Sequence, residues 1–425
     1  MELGHDGRGV ARRDNGRTVL VAGALPGERV LAKQTRRTRE ADLATTVEVL
    51  HASPDRVEPR CPHFGVCGGC VLQHLDGAQQ ILVKQARLLE QFGESGVTPE
   101  TVLEPLVDAA WGYRRKGRLS VRRVRKKDKT LVGFRELDPR FVADLAECHT
   151  AIPQVGMRIA ALSVLIESLQ ARQVIPQVEF IAGDAAVALI IRHMEPLVAD
   201  DLTALEAFGR EHDLAIFLQP GGVDSVHPLW PAVPPELSFR LEPWDVELGF
   251  QPLDFIQVNA GLNQKMIALA LELLDVGPGQ RVLDLFCGLG NFTLPLARTA
   301  AEVVGVEGDP GLVARARANA QRNGLGHVQF HAADLTQDQS AAEWMVQGFD
   351  RLLLDPPRSG AIDVLKQLPL ERFGRIVYVS CHPDTLARDA AYLVNERGWK
   401  LRKAGVMDMF PHTAHVESIA MFERG

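Results

Sequence analysis

Long apolar runs are absent from this sequence. No stretch of about 18 residues is both apolar and free of charge, and a membrane-spanning helix needs that length. Residues 1–7 also lack the apolar segment that signal peptides carry. We therefore expect a cytoplasmic protein.

Cysteine is scarce as well, with six among 425 residues. That number is too low for a disulfide scaffold, and a reducing compartment would keep the thiols free. The cysteines are therefore expected to be buried, metal-bound or catalytic. Repeats and low-complexity tracts are also missing, and 46% hydrophobic with 24% charged residues is an ordinary globular composition. The length suffices for two or three domains.

Positive charge is concentrated at the start of the chain. Residues 1–130 contain 23 Lys and Arg against 16 Asp and Glu, whereas the remaining residues contain 24 against 38. A basic front third on an acidic chain favours a polyanion bound there. An ordinary solvated surface is the alternative explanation of these counts.

Residues 1–53 predict a small β-barrel. Residues 19–21 and 45–50 are rich in β-forming side chains, and glycines punctuate the segment. Its basic side chains are Arg8, Arg12, Arg13, Arg17, Arg29, Lys33, Arg36, Arg37 and Arg39. Small barrels of this kind often bind single-stranded nucleic acid, although a barrel with a merely solvated face is the alternative. Few residues precede Gly7, so little room is left for a first strand.

A second basic segment lies at residues 113–129, which contain ten Lys or Arg and one Asp. Residues 118–122 alternate between polar and apolar side chains, and this alternation predicts a strand with one basic face. We interpret this face as a contact for nucleic-acid phosphates.

From about residue 256 the pattern changes to alternating strands and helices. Apolar strands at residues 281–286, 303–307, 351–354 and 376–379 are separated by segments of helical periodicity. This alternation predicts a doubly wound α/β sheet.

A glycine-rich loop follows the first of these strands. The loop begins at Asp284 and contains Gly288, and Glu307 ends the next strand 19 residues after Gly288. An acid at that place can accept hydrogen bonds from ribose hydroxyls. The third glycine of a dinucleotide-binding loop would fall at Thr293, so the acidic series that continues to Asp334 favours S-adenosylmethionine. A dinucleotide site and a purely structural turn are the alternatives.

Two further strand ends and the C-terminus carry reactive side chains. Two prolines follow Asp355, and His382 follows Cys381. Substrates of open α/β sheets bind at the carboxyl ends of the strands, so Cys381 is placed as a nucleophile, with a buried core cysteine as the equal alternative. Glu417 precedes an apolar final strand, where partial burial would raise its pKa towards that of a useful base. A solvent-exposed edge carboxylate is the alternative for Glu417.

Four cysteines lie outside the predicted sheet. Cys61, Cys67 and Cys70 have the spacing C-x5-C-x2-C, and Cys148 is a natural fourth ligand. Four thiolates hold either zinc or an iron–sulfur cluster, and the spacing alone does not choose between them.

Together these segments resemble the bacterial ribosomal RNA uracil-C5 methyltransferases, in particular the RlmD type that acts on one uridine of 23S ribosomal RNA. The resemblance extends over nearly the whole chain. Its most specific segments are residues 61–70, 255–259, 284–292, 379–383 and 408–417. One departure is His382, which stands where the family more often has Asn.

The resemblance implies a three-part organisation. Residues 1–53 would form a TRAM RNA-binding barrel, and residues 54–255 a central α+β domain with a [4Fe–4S] cluster. Residues 256–425 would form a Rossmann-like methyltransferase domain. The partner would be 23S ribosomal RNA, since the related transfer-RNA enzymes lack the cysteine loop. The resemblance implies neither a membrane nor an obligate protein partner.

Roles of individual residues also follow from the resemblance. The cluster ligands would be Cys61, Cys67, Cys70 and Cys148. The residues in contact with S-adenosylmethionine would be Gln257, Phe286, Asn291, Glu307, Asp334 and Asp355. Cys381 would be the nucleophile and Glu417 the base.

Two other functions stay open at this point. An N-methyltransferase acting on an exocyclic amine would use Asp355 and the prolines after it, but it would need no cysteine. A metal-stabilised RNA-binding protein with a vestigial donor site would bind S-adenosylmethionine without turnover.

Overall fold

The computed structural model describes residues 2–424. The first part of the chain forms a five-stranded sheet. Its strands are β1 (Glu2–Leu3), β2 (Gly9–Arg12), β3 (Thr18–Ala22), β4 (Arg29–Arg37) and β5 (Asp42–His51). They lie in the order β1-β2-β3-β5-β4, so the basic strand β4 is at an edge. Val21, Ala24 and Ala44 form a small apolar core, whereas most side chains of β4 are exposed. The predicted strands of this segment are present.

A six-stranded sheet and a separate hairpin form the middle of the chain. The elements are α1 (Gly77–Glu94), β6 (Thr101–Val102), β7 (Lys116–Val124), β8 (Lys129–Gly133), α2 (Pro153–Gly156), α3 (Ile159–Ser168), β9 (Gln177–Ala182), β10 (Val187–Arg192), α4 (Ala199–His212), β11 (Ala215–Gln219), β12 (His227–Trp230), β13 (Leu237–Leu241) and β14 (Val246–Phe250). The sheet has the order β12-β11-β10-β9-β7-β8, and β13 pairs with β14. In β7 the apolar Leu119 and Val121 are buried, and Arg118 and Arg122 point to solvent, as the alternation predicts.

The C-terminal part has the predicted α/β alternation. Its elements are α5 (Ala260–Leu274), β15 (Arg281–Leu285), α6 (Thr293–Leu296), β16 (Glu302–Glu307), α7 (Pro310–Arg322), β17 (Val328–Ala332), α8 (Glu343–Val346), β18 (Arg351–Leu354), α9 (Ile362–Gln367), β19 (Arg375–Ser380), α10 (Pro383–Ala391), β20 (Trp399–Met407) and β21 (Glu417–Arg424). The apolar strands β15, β16, β18 and β19 are buried on both faces, which explains their nearly continuous hydrophobic runs.

The order of the large sheet positions the site. The sheet runs β17-β16-β15-β18-β19-β21-β20-β6, with β15 to β19 parallel and β21 antiparallel to its neighbours β19 and β20. The chain order reverses between β15 and β18. Ligands of doubly wound folds bind outside the carboxyl ends of the strands at such a reversal. The glycine-rich loop after β15 and the Asp355 loop after β18 both lie there.

Two elements from earlier in the chain join this sheet. Strand β6 pairs in parallel with β20 at Lys403 and Ala404. Helix α1 packs against α10 and β20, and its Leu88 and Phe92 belong to the same apolar cluster as the C-terminal strands. Within residues 2–424, no helix combines the length and apolar character needed to cross a membrane.

Candidate active site

Cys381 and Glu417 come from neighbouring strands. Strand β19 ends at Ser380, which pairs with Ser418 of the antiparallel strand β21. Cys381 follows Ser380 and Glu417 precedes Ser418, so the register continued by one residue sets the two side chains opposite each other. Directly opposite residues of antiparallel strands have Cβ atoms about 4.5–5.5 Å apart. The sheet therefore brings a thiol and a carboxyl group together.

The surroundings of Cys381 disfavour its thiolate in the free protein. Burial raises the pKa of Cys381 to about 11, and the charges of Glu417 and Asp355 add to the rise, whereas Arg358 opposes it. A thiol with this pKa is mostly protonated near neutral pH, so nucleophilic attack requires that its proton leave. Cys381 is only partly buried, which leaves its sulfur accessible to a substrate.

Glu417 is suited to accept a proton. Its side chain is buried, and burial raises its pKa from 4.5 to about 8. The charge of Asp355 contributes to this rise in the pKa, while the charges of Lys84 and Arg358 oppose it. A general base works best when its pKa lies near the ambient pH. The burial that the sequence led us to expect is therefore present.

Asp355 lies just beyond the end of β18, and burial raises its pKa to about 7. Arg358, three residues later, is exposed and has Nη2 3.3 Å from Nδ1 of His415. The His415 side chain is exposed, and partial desolvation together with the positive charge of Arg358 lowers its pKa to about 4. His415 is therefore neutral at physiological pH.

The loop after β15 is held in an unusual backbone conformation. Phe286 has a φ of 66°, a left-handed conformation that is uncommon for a residue with a side chain, and its N–H donates to the Val306 carbonyl at 2.8 Å. Asp284 is fully buried and its Oδ2 accepts from Thr293 Oγ1 at 2.5 Å. Its Oδ1 has no hydrogen-bond partner among residues 2–424, and burial raises the pKa of Asp284 to about 8. Asp284 is therefore mostly protonated near neutral pH, and its Oδ1 is a buried polar atom without a partner in the described residues.

Glu307 is tied to the same loop. Its Oε2 accepts from the Gly288 N–H at 3.1 Å, and its Oε1 accepts from the Asp309 N–H at 3.0 Å. The side-chain amides of Asn291 and Asn263 hydrogen-bond each other at 2.9 Å, which fixes Asn291 against α5. Glu307 and Asn291, both predicted from the sequence, thus lie at the same glycine-rich loop.

The two remaining residues predicted to contact S-adenosylmethionine, Gln257 and Asp334, lie outside this loop. Gln257 precedes α5, and its carbonyl accepts from Arg115 Nε at 3.1 Å. Asp334 follows β17 and is exposed, and hydrogen bonds from Thr336 hold its pKa below the ordinary value. Since β17 is parallel to β16, Asp334 and Glu307 lie at the same edge of the sheet.

The four other predicted thiols surround one cavity of about 150 Å³, which Cys61, Cys67, Cys70 and Cys148 line. Burial raises the pKa of Cys67 to about 12 and that of Cys70 to about 11, and neighbouring thiols contribute to both rises. Within residues 2–424, no group of three or more His, Cys, Asp or Glu side chains is arranged to hold a metal ion. The four thiols therefore surround a space and do not meet at one point.

Tertiary contacts divide the basic run at residues 113–129. Lys116 is partly buried and donates to the Leu253 carbonyl at 2.9 Å, and Arg118 pairs with Glu179 at 3.0 Å. Arg123 pairs with Glu167 at 3.2 Å. Arg122, Arg125 and Lys126 are exposed, and none of them forms an ion pair within the described part of the chain. The free positive charge is thus smaller than the sequence suggests.

Two charged residues near Glu417 were not recognised from the sequence. Arg358 lies three residues after Asp355, in the loop predicted at the substrate-binding edge of the sheet. This position in the sequence could have indicated that Arg358 belongs to the site. Lys84 gave no signal, because it lies in the helical pattern of α1, far from the C-terminal segment in sequence.

Comparison with known proteins identifies the family. Residues 248–425 match the tRNA (Uracil-5-)-methyltransferase family. The whole chain is 70% identical to the 23S rRNA (uracil(1939)-C(5))-methyltransferase RlmD of Xanthomonas campestris strain 8004, of which the match covers 96%. The chain belongs to the RlmD-type 23S rRNA uracil-C5 methyltransferases. The RlmD of Stenotrophomonas maltophilia strain R551-3 is 67% identical, with 100% of this chain and 96% of that protein covered.

A solved structure agrees with the α/β methyltransferase fold. The Pyrococcus abyssi tRNA (uracil-54, C5)-methyltransferase in complex with S-adenosyl-L-homocysteine has a TM-score of 0.74 and 25% identity. The match covers 98% of this chain and 100% of that one. The predicted α/β methyltransferase fold is therefore confirmed, as is the predicted resemblance to uracil-C5 methyltransferases.

Proposed function

We propose that this RlmD-type chain methylates C5 of one uridine in 23S ribosomal RNA and so produces 5-methyluridine. The observation that carries the proposal is the opposite placement of Cys381, just after β19, and Glu417, at the start of β21, at the ligand-binding edge of a methyltransferase sheet. Uracil C5 is a weak nucleophile, and a thiol that adds to C6 activates it. A thiol paired with a proton acceptor is suited to this chemistry.

The two residues divide the reaction between them. The Cys381 thiolate, formed when the thiol proton passes to solvent, bonds through its sulfur to C6, and the electrons of the C5–C6 double bond move to C5 and O4 as an enolate. S-adenosylmethionine, when bound, would supply the methyl group to C5 and would leave as S-adenosylhomocysteine once its sulfonium–methyl bond breaks. Glu417 then accepts the proton from the methylated C5, the double bond re-forms, and the bond from Cys381 to C6 breaks. Cys381 leaves as the thiolate.

The donor site is proposed to be the loop region after β15. Its contact residues are Gln257, Phe286, Asn291, Glu307, Asp334 and Asp355. Two observations support the fit. The glycine loop anchors Glu307 through Gly288, and Asp284 presents an oxygen without a partner in the described residues. Acidic walls suit a cationic sulfonium.

The cysteine cavity is proposed to hold a [4Fe–4S] cluster through Cys61, Cys67, Cys70 and Cys148. The fit rests on four thiols around one cavity, since a cluster needs more room between its ligands than a single ion does. When bound, the cluster supplies iron–thiolate bonds, which would cross-link the loop of residues 61–70 to Cys148.

We further propose the three-part division into residues 1–53, 54–255 and 256–425. The first part would be a TRAM barrel that binds RNA through the basic edge strand β4, and the second would add Arg122, Arg125 and Lys126. The third would be the catalytic domain. Ribosomal RNA as the substrate supports a cytoplasmic location for the enzyme.

Mapping of modified nucleosides tests the proposal. Ribosomal RNA from cells that lack the gene should lose 5-methyluridine at one site of 23S rRNA, and the intact gene should restore it. Cys381→Ala should not restore it. A methyl group found on an exocyclic amine, or restoration by Cys381→Ala, would contradict the proposed reaction.

A further inference from the structure

Helix α1 supplies a buried cation to the segment that precedes Glu417. Lys84 is 2% exposed, and its Nζ donates to Asp408 Oδ1 at 2.6 Å and to the Phe410 carbonyl at 3.0 Å. Asp408 and Phe410 belong to the loop of residues 408–416, which connects β20 to β21. Lys84 therefore joins the N-terminal half of the chain to the loop that ends at Glu417.

Gln80, one helical turn before Lys84, holds the same loop. Its Oε1 accepts from the His412 N–H at 2.9 Å, and its Nε2 donates to the Leu72 carbonyl at 3.0 Å. His412 is buried and has a φ of 67°, a conformation that persists only where surrounding contacts impose it. The N–H groups of Val71 and Leu72 also donate to the His412 carbonyl. The conformation of this loop therefore depends on α1 and on the residues just before it.

We propose that Lys84 is a positioning residue for the base Glu417: its ammonium group fixes the loop of residues 408–416 and places a buried positive charge near the Glu417 carboxylate. This inference rests on the proposed function, in which Glu417 accepts the C5 proton. Lys84 does not touch the reacting atoms, and it acts through the loop and through its charge.

Four groups from three segments of the chain face Glu417. Asp355 after β18 raises its pKa, and Lys84 from α1 and Arg358 from the Asp355 loop lower it. The fourth group is Cys381, which follows β19. The charge of Glu417 raises the pKa of Cys381. Arg358 is exposed and therefore screened by water and salt, whereas Lys84 is buried. Loss of the Lys84 charge should thus protonate a larger fraction of Glu417 at neutral pH.

The test follows the step that Glu417 performs. Full-length enzyme carrying Lys84→Met is mixed with a 23S rRNA fragment and methyl-labelled S-adenosylmethionine in single-turnover reactions between pH 6 and 9. We expect release of methylated RNA to slow by about 10-fold or more, and labelled covalent RNA–protein adduct to accumulate on denaturing gels. The pH midpoint for release should move up by about one unit. Adduct formation by Cys381 should change less than its release.

Companion variants separate charge from folding. Lys84→Met leaves the Asp408 carboxylate buried without its partner, so Lys84→Met/Asp408→Asn removes both charges and should recover thermal stability. The double variant should keep the raised pH midpoint. The matched control is Lys265→Met, which removes a half-exposed lysine that pairs with Asp108 at 3.1 Å. This control should release RNA at the wild-type rate.

The possible outcomes distinguish this proposal from the proposed function. A folded double variant with wild-type release rate and pH midpoint would reduce Lys84 to a structural residue and overturn the inference. Wild-type enzyme that forms no 5-methyluridine, or a Cys381→Ala variant that still forms an adduct, would instead overturn the reaction itself. Slowed release with a raised midpoint in both Lys84 variants supports the inference.

Discussion

Cys381 and Glu417 stand opposite each other because β19 and β21 pair in antiparallel register at Ser380 and Ser418. Cys381 follows β19, the last of the parallel strands β15 to β19. These strands by themselves would leave no proton acceptor directly opposite Cys381 on the other side of β19. The antiparallel final strand brings a carboxyl group to the same edge from the other direction. The pair therefore depends on the one change of strand direction beside β19.

Substitution of these two residues should block the reaction at different points. Cys381→Ala removes the atom that bonds to C6, so no covalent RNA–protein species should appear. Glu417→Gln keeps the thiol and the methyl transfer but removes the proton acceptor, so a methylated adduct should accumulate on a denaturing gel. Slow release by water is compatible with this expectation. Multiple turnover by Glu417→Gln at the wild-type rate would remove Glu417 from the mechanism, and an adduct with Cys381→Ala would move the nucleophile elsewhere.

The raised pKa of Glu417 predicts a stability that falls with pH. The carboxyl group has a pKa of about 8 in the folded protein and about 4.5 in the unfolded chain, so the folded state binds more protons between these values. The contribution of Glu417 to stability is therefore complete below about pH 4.5 and is lost as the pH rises through 8. Glu417→Gln should be more stable than wild type at pH 8.5, by about 1 kcal/mol or more, and the difference should shrink at pH 5.5. Thermal unfolding at both pH values measures it, and an equal change at the two pH values would contradict the burial argument.

Anaerobic purification should yield a protein that contains iron and sulfide and absorbs visible light. Cys61→Ser removes one of the four thiols around the cavity, so it should lower the iron content and the melting temperature. Cys381→Ala is the matched control, because this thiol lies outside the cavity, and its iron content should equal that of wild type. A colourless wild-type protein with stoichiometric zinc would rule out the cluster.

The exposed part of the basic run should contribute to RNA binding. Arg122→Gln/Lys126→Gln removes two charges without breaking an ion pair of the described residues, so RNA affinity should fall. The slope of log affinity against log salt should become shallower by about two, since fewer counterions are released. Binding of S-adenosylmethionine should be unchanged. Filter binding at several salt concentrations measures both quantities.

A charge-matched control accompanies this variant. Lys366→Gln/Lys400→Gln removes two exposed lysines from α9 and β20, in the C-terminal part of the chain. Its affinity and salt slope should stay close to those of wild type. Equal losses in the two double variants would mean that only net charge matters and that residues 113–129 form no specific contact.

The sequence by itself determined the order of the elements and the chemistry at the strand ends. The alternation of apolar strands with amphipathic helices gave the α/β sheet, because local periodicity reports burial directly. Glycines and acids at the ends of β15 and β16 indicated the donor loop, and Cys381 at the end of β19 indicated the nucleophile. These features depend on short segments of chain, and the sequence contains all of them.

Only the tertiary structure decided which of these residues meet and how they ionise. Lys84 and Asp408 are 324 residues apart, so no local pattern could predict their contact. The pKa values of Glu417 and Cys381 depend on how much water the surrounding elements exclude and on which charges they bring near. In the basic run, Arg118 and Arg123 form ion pairs with Glu179 and Glu167, whereas Arg122 forms no ion pair within the described residues and donates to the Arg140 carbonyl. Contacts between distant segments and the exclusion of water from the site are properties of the folded chain. They determine which residues meet in the site and what their pKa values are.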